Sequence, residues 1–434
     1  MNSSTLALYF SPFAFVSISY LFRKFKHQRT NRRTLDDSIA SKLTEPASLH
    51  PVIDPNLCLG CGSCAKACPE NLVLGLISGK AELINPTHCI GHGACKTACP
   101  MDAITLVFGT ETRGVDIPTL DEEFQTNIPG IYIAGELGGM GLIRNATNQG
   151  KQAVNAMAKL DGMGSSTFDH DIVIIGAGPA GISATLAAKQ HKLRYATLEQ
   201  ESLGGTVAHY PRGKIVMTAP AELPLVGKVK FTETTKETLL DFWRKVEKEQ
   251  ELGIRYQERV ENIEPFENGF IVTTANGTYK TRSVLMAIGR RGTPRKLGVP
   301  GEKRTKVVYR LIDSSQYQGK HMLVVGGGDS ALEAAVSLSE EPGTTVTLSY
   351  RSEAFSRAKE KNRQKVTAAE SAGNLRVLLK SNVSTILDDK VFIDHDGEEV
   401  EIPNDGVIVS AGGILPTPFL KSIGINIDTK YGTV

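Results

Sequence analysis

The chain has 434 residues, 41% of them hydrophobic, with 42 glycines and 7 cysteines, the composition of a globular protein with room for two to four domains. Its net charge is +2 at pH 7, but residues 23–33, "RKFKHQRTNRR", hold six basic and no acidic side chains, so the remainder is net acidic. An acidic body excludes nucleic acid as a general partner, and the many glycines point to turns that cradle phosphate.

Residues 6–22, "LALYFSPFAFVSISYLF", carry no charge. Seventeen helical residues reach roughly 26 Å, the short limit for a bilayer. The basic run follows this stretch, whereas a secretory signal would place it before. The positive-inside rule then predicts a membrane helix, a single-pass anchor in the cell inner membrane that fills residues 1–30 with its basic flank and leaves the later domains cytoplasmic. Residues 31–50 are polar and patternless and read as a linker.

Residues 51–110 contain every cysteine of the chain. "CLGCGSCAKACP" (58–69) and "CIGHGACKTACP" (89–100) are the same cassette written twice, with His92 where the first has Cys61. Cys-x2-Cys-x2-Cys-x3-Cys-Pro is the bacterial ferredoxin run, whose fourth cysteine serves the other cluster. The spacing predicts two 4Fe-4S clusters, one on Cys58, Cys61, Cys64 and Cys99, the other on Cys68, Cys89, Cys95 and His92. Zinc knuckles also use CxxC pairs, but not two such runs in tandem. At His92 three readings stand: imidazole ligation, a vacant corner leaving a 3Fe-4S cluster, or packing beside the cluster. Thiolates that hold iron imply a reducing compartment.

From His170, "HDIVIIGAGPAGISATLAAKQHKLRYATLEQ" reads as strand, glycine turn, helix and second strand. In Gly176-x-Gly178-x-x-Gly181 the first glycine permits the tight turn, the second admits pyrophosphate, and the third lets helix pack on strand. Glu199 stands where a ribose would be bound. A second unit follows in "HMLVVGGGDSALEAAVSL" (321–338), with Gly326-x-Gly328-x-x-Ala331; its next strand, "TVTLSYR", ends on Arg351 where the first has Glu199. A cation there suits a 2′-phosphate, hence NADPH rather than NADH, and Arg357 is placed to assist. "KETLLDFWRKVEKEQ" (236–250) shows one apolar helix face that includes Trp243, and Asn276-Gly277 marks a hairpin.

With "GGTVAHYPRGKIVMTAPAELPL" (204–225), "VVGGGDSALEAA" (324–335) and "VLMAIGRRGTPRKLGVPGE" (284–302), residues 170–434 resemble the thioredoxin reductase group of FAD- and NAD(P)H-dependent reductases, and within it the bacillithiol-disulfide-reductase-like branch. The resemblance implies an α/β protein with two Rossmann-like domains, FAD on the first and NAD(P)H on the inserted second, paired as a homodimer. It implies cofactor contacts at Gly204, Gly205 and Thr206 in one and at Asp329 and Ser330 in the other. Such reductases close with a strand, an acidic residue and a helix that meets the flavin. This chain stops short of that segment but carries it upstream as "FQTNIPGIYIAGELGGMGLIRNATNQGKQAVNAMAKL" (124–160). The resemblance thus implies a circular permutation, with Gly135, Glu136 and Gln149 at the flavin and a helix from about Asn148 aimed at its ring. The expected map is an α+β ferredoxin-like domain at 51–110, the displaced segment at 111–162, the FAD domain at 163–289, the NAD(P)H domain at 290–410, and a return to the FAD domain at 411–434.

Thioredoxin reductases carry a redox CxxC before the second glycine motif, where this chain has "IDSSQYQGKHMLVVGGG"; bacillithiol-type enzymes carry a cysteine in the first glycine turn, where it has Ala180. Thiol–disulfide exchange needs an attacking thiolate, and all seven are assigned to iron. The expected activity is therefore electron passage from NAD(P)H through FAD and the clusters to an electron carrier, or the reverse, with no acid, base or nucleophile. Disulfide reduction and non-enzymatic redox sensing are the alternatives.

Overall fold

The computed structural model describes the whole chain except residues 1–2, 41–42, 47–48, 71, 90, 112–113, 140, 165–166, 211–212, 214, 218–219, 232–233, 291, 357 and 433–434. It forms two compact units, one of Met1–Gly114 with Ser356–Glu360 and Lys430–Val434, the other of Val115–Phe355 and Lys361–Thr429.

The first unit opens on a helix, Ser3–Ala40. Among the described residues no helix is long and apolar enough to cross a membrane. The expected single-pass anchor at residues 6–22, and the inner-membrane localisation built on it, are corrected accordingly. Three serines, Tyr9, Tyr20 and Pro12 dilute the uncharged stretch, and the basic run begins inside the same helix. The expected linker is also partly helical. Straight-chain Arg and Gln favour helix and no glycine interrupts it, so it runs on to Ala40. Its last turns pack on the next module: the Asn31 amide donates to the Leu76 carbonyl at 3.1 Å, and the Ser38 hydroxyl to that of Ile84 at 3.1 Å.

That module repeats one motif. His50–Ile53 pairs antiparallel with Ile104–Val107, and Leu74–Ile77 with Lys80–Leu83. The short helices Ser63–Ala67 and Ala94–Thr97 each follow a left-handed glycine, Gly62 and Gly93. Its core is Cys58, Cys64 and Cys95 with Val73, Leu74, Ala81, Ala103 and Ile104. So small an apolar core needs a covalent or metal staple.

The second unit holds two α/β layers. In the first, a sheet runs Arg255–Tyr256, Tyr195–Glu199, His170–Ile175, Gly277–Met286, Gly269–Thr274, Val260–Phe266. The strand Ile131–Ile133 joins it in parallel beside Val284–Met286. Thr274 pairs with Gly277 across the hairpin. Helix Lys236–Glu249 buries Leu239, Leu240, Trp243 and Val246. The second layer is a wholly parallel five-stranded sheet in the order Val307–Val308, Gly406–Val409, His321–Val325, Thr345–Tyr350, Leu375–Leu379, followed by the antiparallel strands Ser381–Ile386, Lys390–His395 and Glu398–Pro403.

The displaced segment belongs to the first layer. Helix Ile143–Met157 packs along helix Pro179–Gln190, with Ala146, Ala153 and Val154 in one core with Ala180, Ala184 and Ala187. The chain's last strand returns to this segment's start: Thr429 Oγ1 donates to Asp116 Oδ1 at 2.8 Å, and Thr119 N to the Asn426 carbonyl at 3.0 Å.

Candidate functional site

In the first layer the turn after His170–Ile175 is shaped by crowding. Gly176 has φ 103°, and a Cβ there would lie 2.6 Å from the Ala287 carbonyl; at Gly181 it would lie 1.8 Å from the Gly176 carbonyl. Gly178 precedes helix Pro179–Gln190 and has only the Gly205 Cα within 4 Å of such a Cβ. This leaves an open space at a helix N-terminus, the usual seat of a phosphate. Glu199 is buried and fixed by two backbone donors, Ala177 N and Glu201 N, each at 2.8 Å. Burial pushes its carboxyl up, against the pull of those bonds.

Gly176, Gly178, Glu199, Gly205 and Thr206 border one cleft of about 610 Å³, together with Gly135 and Glu136 of the displaced segment. Its size and its mix of open glycine turn, helix N-terminus and buried carboxylate fit a dinucleotide. Gly204 and Gln149 do not border it. Gly204 packs on Leu240, and Gln149 accepts from Gly135 N at 2.8 Å, holding the turn that places Glu136. The displaced helix starts at Ile143 rather than near Asn148, and Leu142, Ile143 and Ala146 border the cleft.

Sequence reading missed one cluster in this cleft. Arg310, two residues past strand Val307–Val308 of the second layer, forks onto Glu201 at 3.0 and 2.9 Å. His209 Nε2 lies 2.9 Å from Glu201 Oε2, and Arg310 Nη1 lies 2.7 Å from His209 Nδ1. The Arg310 guanidinium holds the Glu201 carboxyl below the usual range, against its partial burial. The three lie up to 109 residues apart, and no local pattern links them.

The second glycine turn repeats the backbone geometry of the first. Gly326 has φ 144° against the Ser410 carbonyl, Gly328 caps helix Asp329–Ser339, and Asp329 Oδ1 accepts from the Asn362 amide at 2.8 Å. Ser330 is in that helix's first turn, and Arg351 is exposed just past strand Thr345–Tyr350. Arg357 lies outside the described residues.

In the first unit the cysteines sort into two sets. One small cavity is walled by Cys58, Cys61, Cys64 and Cys99, the other by Cys68, Cys89, Cys95 and His92. Among the described residues no group of three or more such side chains is placed to hold a single metal ion. Gly60 N and Ala81 N donate to Cys58 Sγ at 3.4 Å, and Ala103 N to Cys99 Sγ at 3.3 Å. Burial pushes the Cys64, Cys68, Cys89 and Cys95 thiols up, a penalty that cationic iron held there would offset. At exposed Cys61 the Ser63 hydroxyl lowers the thiol pKa, with a smaller pull from Lys66.

Two dinucleotide folds, the first bordering a dinucleotide-sized cleft, joined in one chain to a cysteine-walled module, define a flavin- and iron–sulfur-type oxidoreductase. Residues 173–433 match the pyridine nucleotide-disulphide oxidoreductase family and residues 50–100 the 4Fe-4S dicluster domain. The chain belongs to that oxidoreductase family, is an NAD(P)H-dependent enzyme, and carries the dicluster domain fused to it. It is 29% identical over 267 residues to bacilliredoxin reductase Bdr of Bacillus subtilis (60% of this chain, 82% of that one). It is 30% identical over 286 residues to a ferredoxin–NADP reductase of Thermus thermophilus (61% and 82%). Among solved structures, bacillithiol disulfide reductase Bdr of Staphylococcus aureus superposes with a TM-score of 0.51 at 25% identity (60% and 81%). The family match begins within strand His170–Ile175 and omits 124–160.

Proposed function

We propose that the protein passes electrons from NADPH, through FAD and two iron–sulfur clusters, to a one-electron carrier. A hydride supplies two electrons and the flavin and clusters divide the pair; the side chains bind, orient and shield. Gly176, Gly178 and the N-terminus of helix Pro179–Gln190 would hold the FAD pyrophosphate, Glu199 a ribose and Glu136 the ribityl chain. Gly326, Gly328, Asp329 and Ser330 would hold the pyridine nucleotide, with Arg351 facing the 2′-phosphate. Cys58, Cys61, Cys64 and Cys99 would carry one cluster, and Cys68, Cys89, Cys95 and His92 the other.

One observation carries this reading over disulfide exchange. The dinucleotide cleft has no thiol on its wall, and the position in the first glycine turn is a buried alanine, Ala180. All seven cysteines of the chain stand instead around the two cavities of the first unit. Five relatives bear the name of ferredoxin–NADP reductase, which supports a one-electron carrier as the partner. Anaerobic assays decide it: NADPH oxidation should proceed with a one-electron dye and be absent with thioredoxin, bacillithiol disulfide or cystine. Turnover with a disulfide would overturn it.

A further inference from the structure

The two cysteine-walled cavities differ in how they meet solvent. The Cys58 set is bordered by four exposed residues, Leu59, Cys61, Pro100 and Met101. Among the described residues, none that borders the set containing His92 is exposed. Leu59 is 68% exposed, Met101 43%, and Leu57, just before Cys58, 47%. Large apolar side chains grouped around an exposed cysteine mark a docking face rather than ordinary surface scatter.

We propose that the Cys58, Cys61, Cys64, Cys99 site is where electrons leave the protein, and that the Leu57–Leu59–Met101 face docks a small one-electron carrier protein whose own centre lies under an apolar surface. This deepens the function proposed above and rests on it. Each NADPH yields two electrons, NADP⁺ and a proton, so two carrier molecules each accept one electron per turnover. Charge decides what kind of carrier fits. Lys66, beside Cys61, and Lys80, which donates to the Cys58 carbonyl at 2.7 Å, are matched by the exposed carboxylates Asp54 and Asp102. A face with balanced charge complements a partner surface of little net charge and adheres through apolar contact. Such encounters bury little area and are transient, and their salt dependence is weak.

The test uses the iron- and flavin-loaded protein and a recombinant bacterial two-[4Fe-4S] ferredoxin as probe. Leu57→Glu puts a charge into the apolar rim without touching the cavity wall; Leu72→Glu makes the same change at an exposed residue next to the other cavity's wall. Leu57→Glu should raise the KM for ferredoxin and weaken its binding, read by surface plasmon resonance with both proteins oxidised, by about tenfold. Leu72→Glu should leave both within about twofold, and in the wild type KM should change less than about threefold between low and high salt. If Leu57→Glu costs iron, the milder Leu57→Gln replaces it, with a KM rise of about threefold expected. Equal effects at positions 57 and 72, an effect at 72 alone, or a steep salt dependence would overturn the proposal. Ferricyanide turnover with NADPH separates the two levels: its absence in the wild type refutes the proposed function, whereas its presence with an unchanged Leu57→Glu KM refutes only the docking face.

Discussion

Gly150 offers a test of the displaced segment in which docking reverses the sign of the effect. It lies mid-helix in Ile143–Met157, and a Cβ there would stand 2.1 Å from the Ala180 carbonyl oxygen and 2.9 Å from its carbon. Both atoms are backbone of the facing helix, so Gly150→Ala can be accommodated only by parting the two helices by about 1 Å, at a cost of about 1–3 kcal/mol. In a helix that touches nothing, the same substitution stabilises by roughly 1 kcal/mol. Docking therefore predicts a net loss of up to about 2 kcal/mol, and because the parted helices border the cleft, FAD affinity should fall about 5- to 30-fold. Flavin fluorescence reads both, through the FAD dissociation constant and the midpoint of chaotrope-induced flavin release. A variant more resistant to chaotrope than the wild type, with unaltered FAD affinity, would refute the docking of residues 124–160 against the Gly176 fold.

Arg351→Ala should raise the KM for NADPH about tenfold, the value of one charge-assisted contact, and leave that for NADH unchanged; steady-state kinetics with both nucleotides checks it. Under ligation by imidazole, His92→Cys should keep the iron content and lower one cluster potential, because a thiolate replaces a neutral ligand. Under a vacant corner it should instead add about one iron per protein, so iron analysis with a redox titration separates the two. Glu201, held below the ordinary glutamate value of 4.5 chiefly by Arg310, contributes stability that is present above that value and lost as pH falls through its lowered pKa. Arg310→Ala should therefore move the acid limb of a pH–stability curve up toward 4.5, and an unmoved limb would mean the pair carries no linkage.

What the sequence disclosed and what it hid follow from the range of the interactions involved. The glycine turns were legible because each glycine answers a crowding fixed within a few residues, such as Gly181 against Gly176. The tandem cassettes were legible for the same reason. The displaced segment was found through a family pattern, and its helix start was misplaced by five residues because Ile143 to Thr147 carry no strong capping signal. The membrane helix was misread because an uncharged run at the short limit for a bilayer was taken as a span although serines, tyrosines and Pro12 dilute it. Residues 31–40 were read as linker although their local helix propensity favours helix, and the contacts with Leu76 and Ile84 that hold them lie more than forty positions away. The Glu201–His209–Arg310 cluster was illegible because it forms only when the two α/β layers meet.

The central claim is that NADPH delivers electrons to the iron–sulfur module through the flavin fold of the same chain. An anaerobic titration with NADPH, following flavin absorbance and low-temperature EPR on one sample, tests it directly. The account predicts that the flavin band bleaches and reduced-cluster EPR signals grow, and that Gly178→Val, which fills the open turn, abolishes both. A bleached flavin beside EPR-silent, fully oxidised clusters would contradict it.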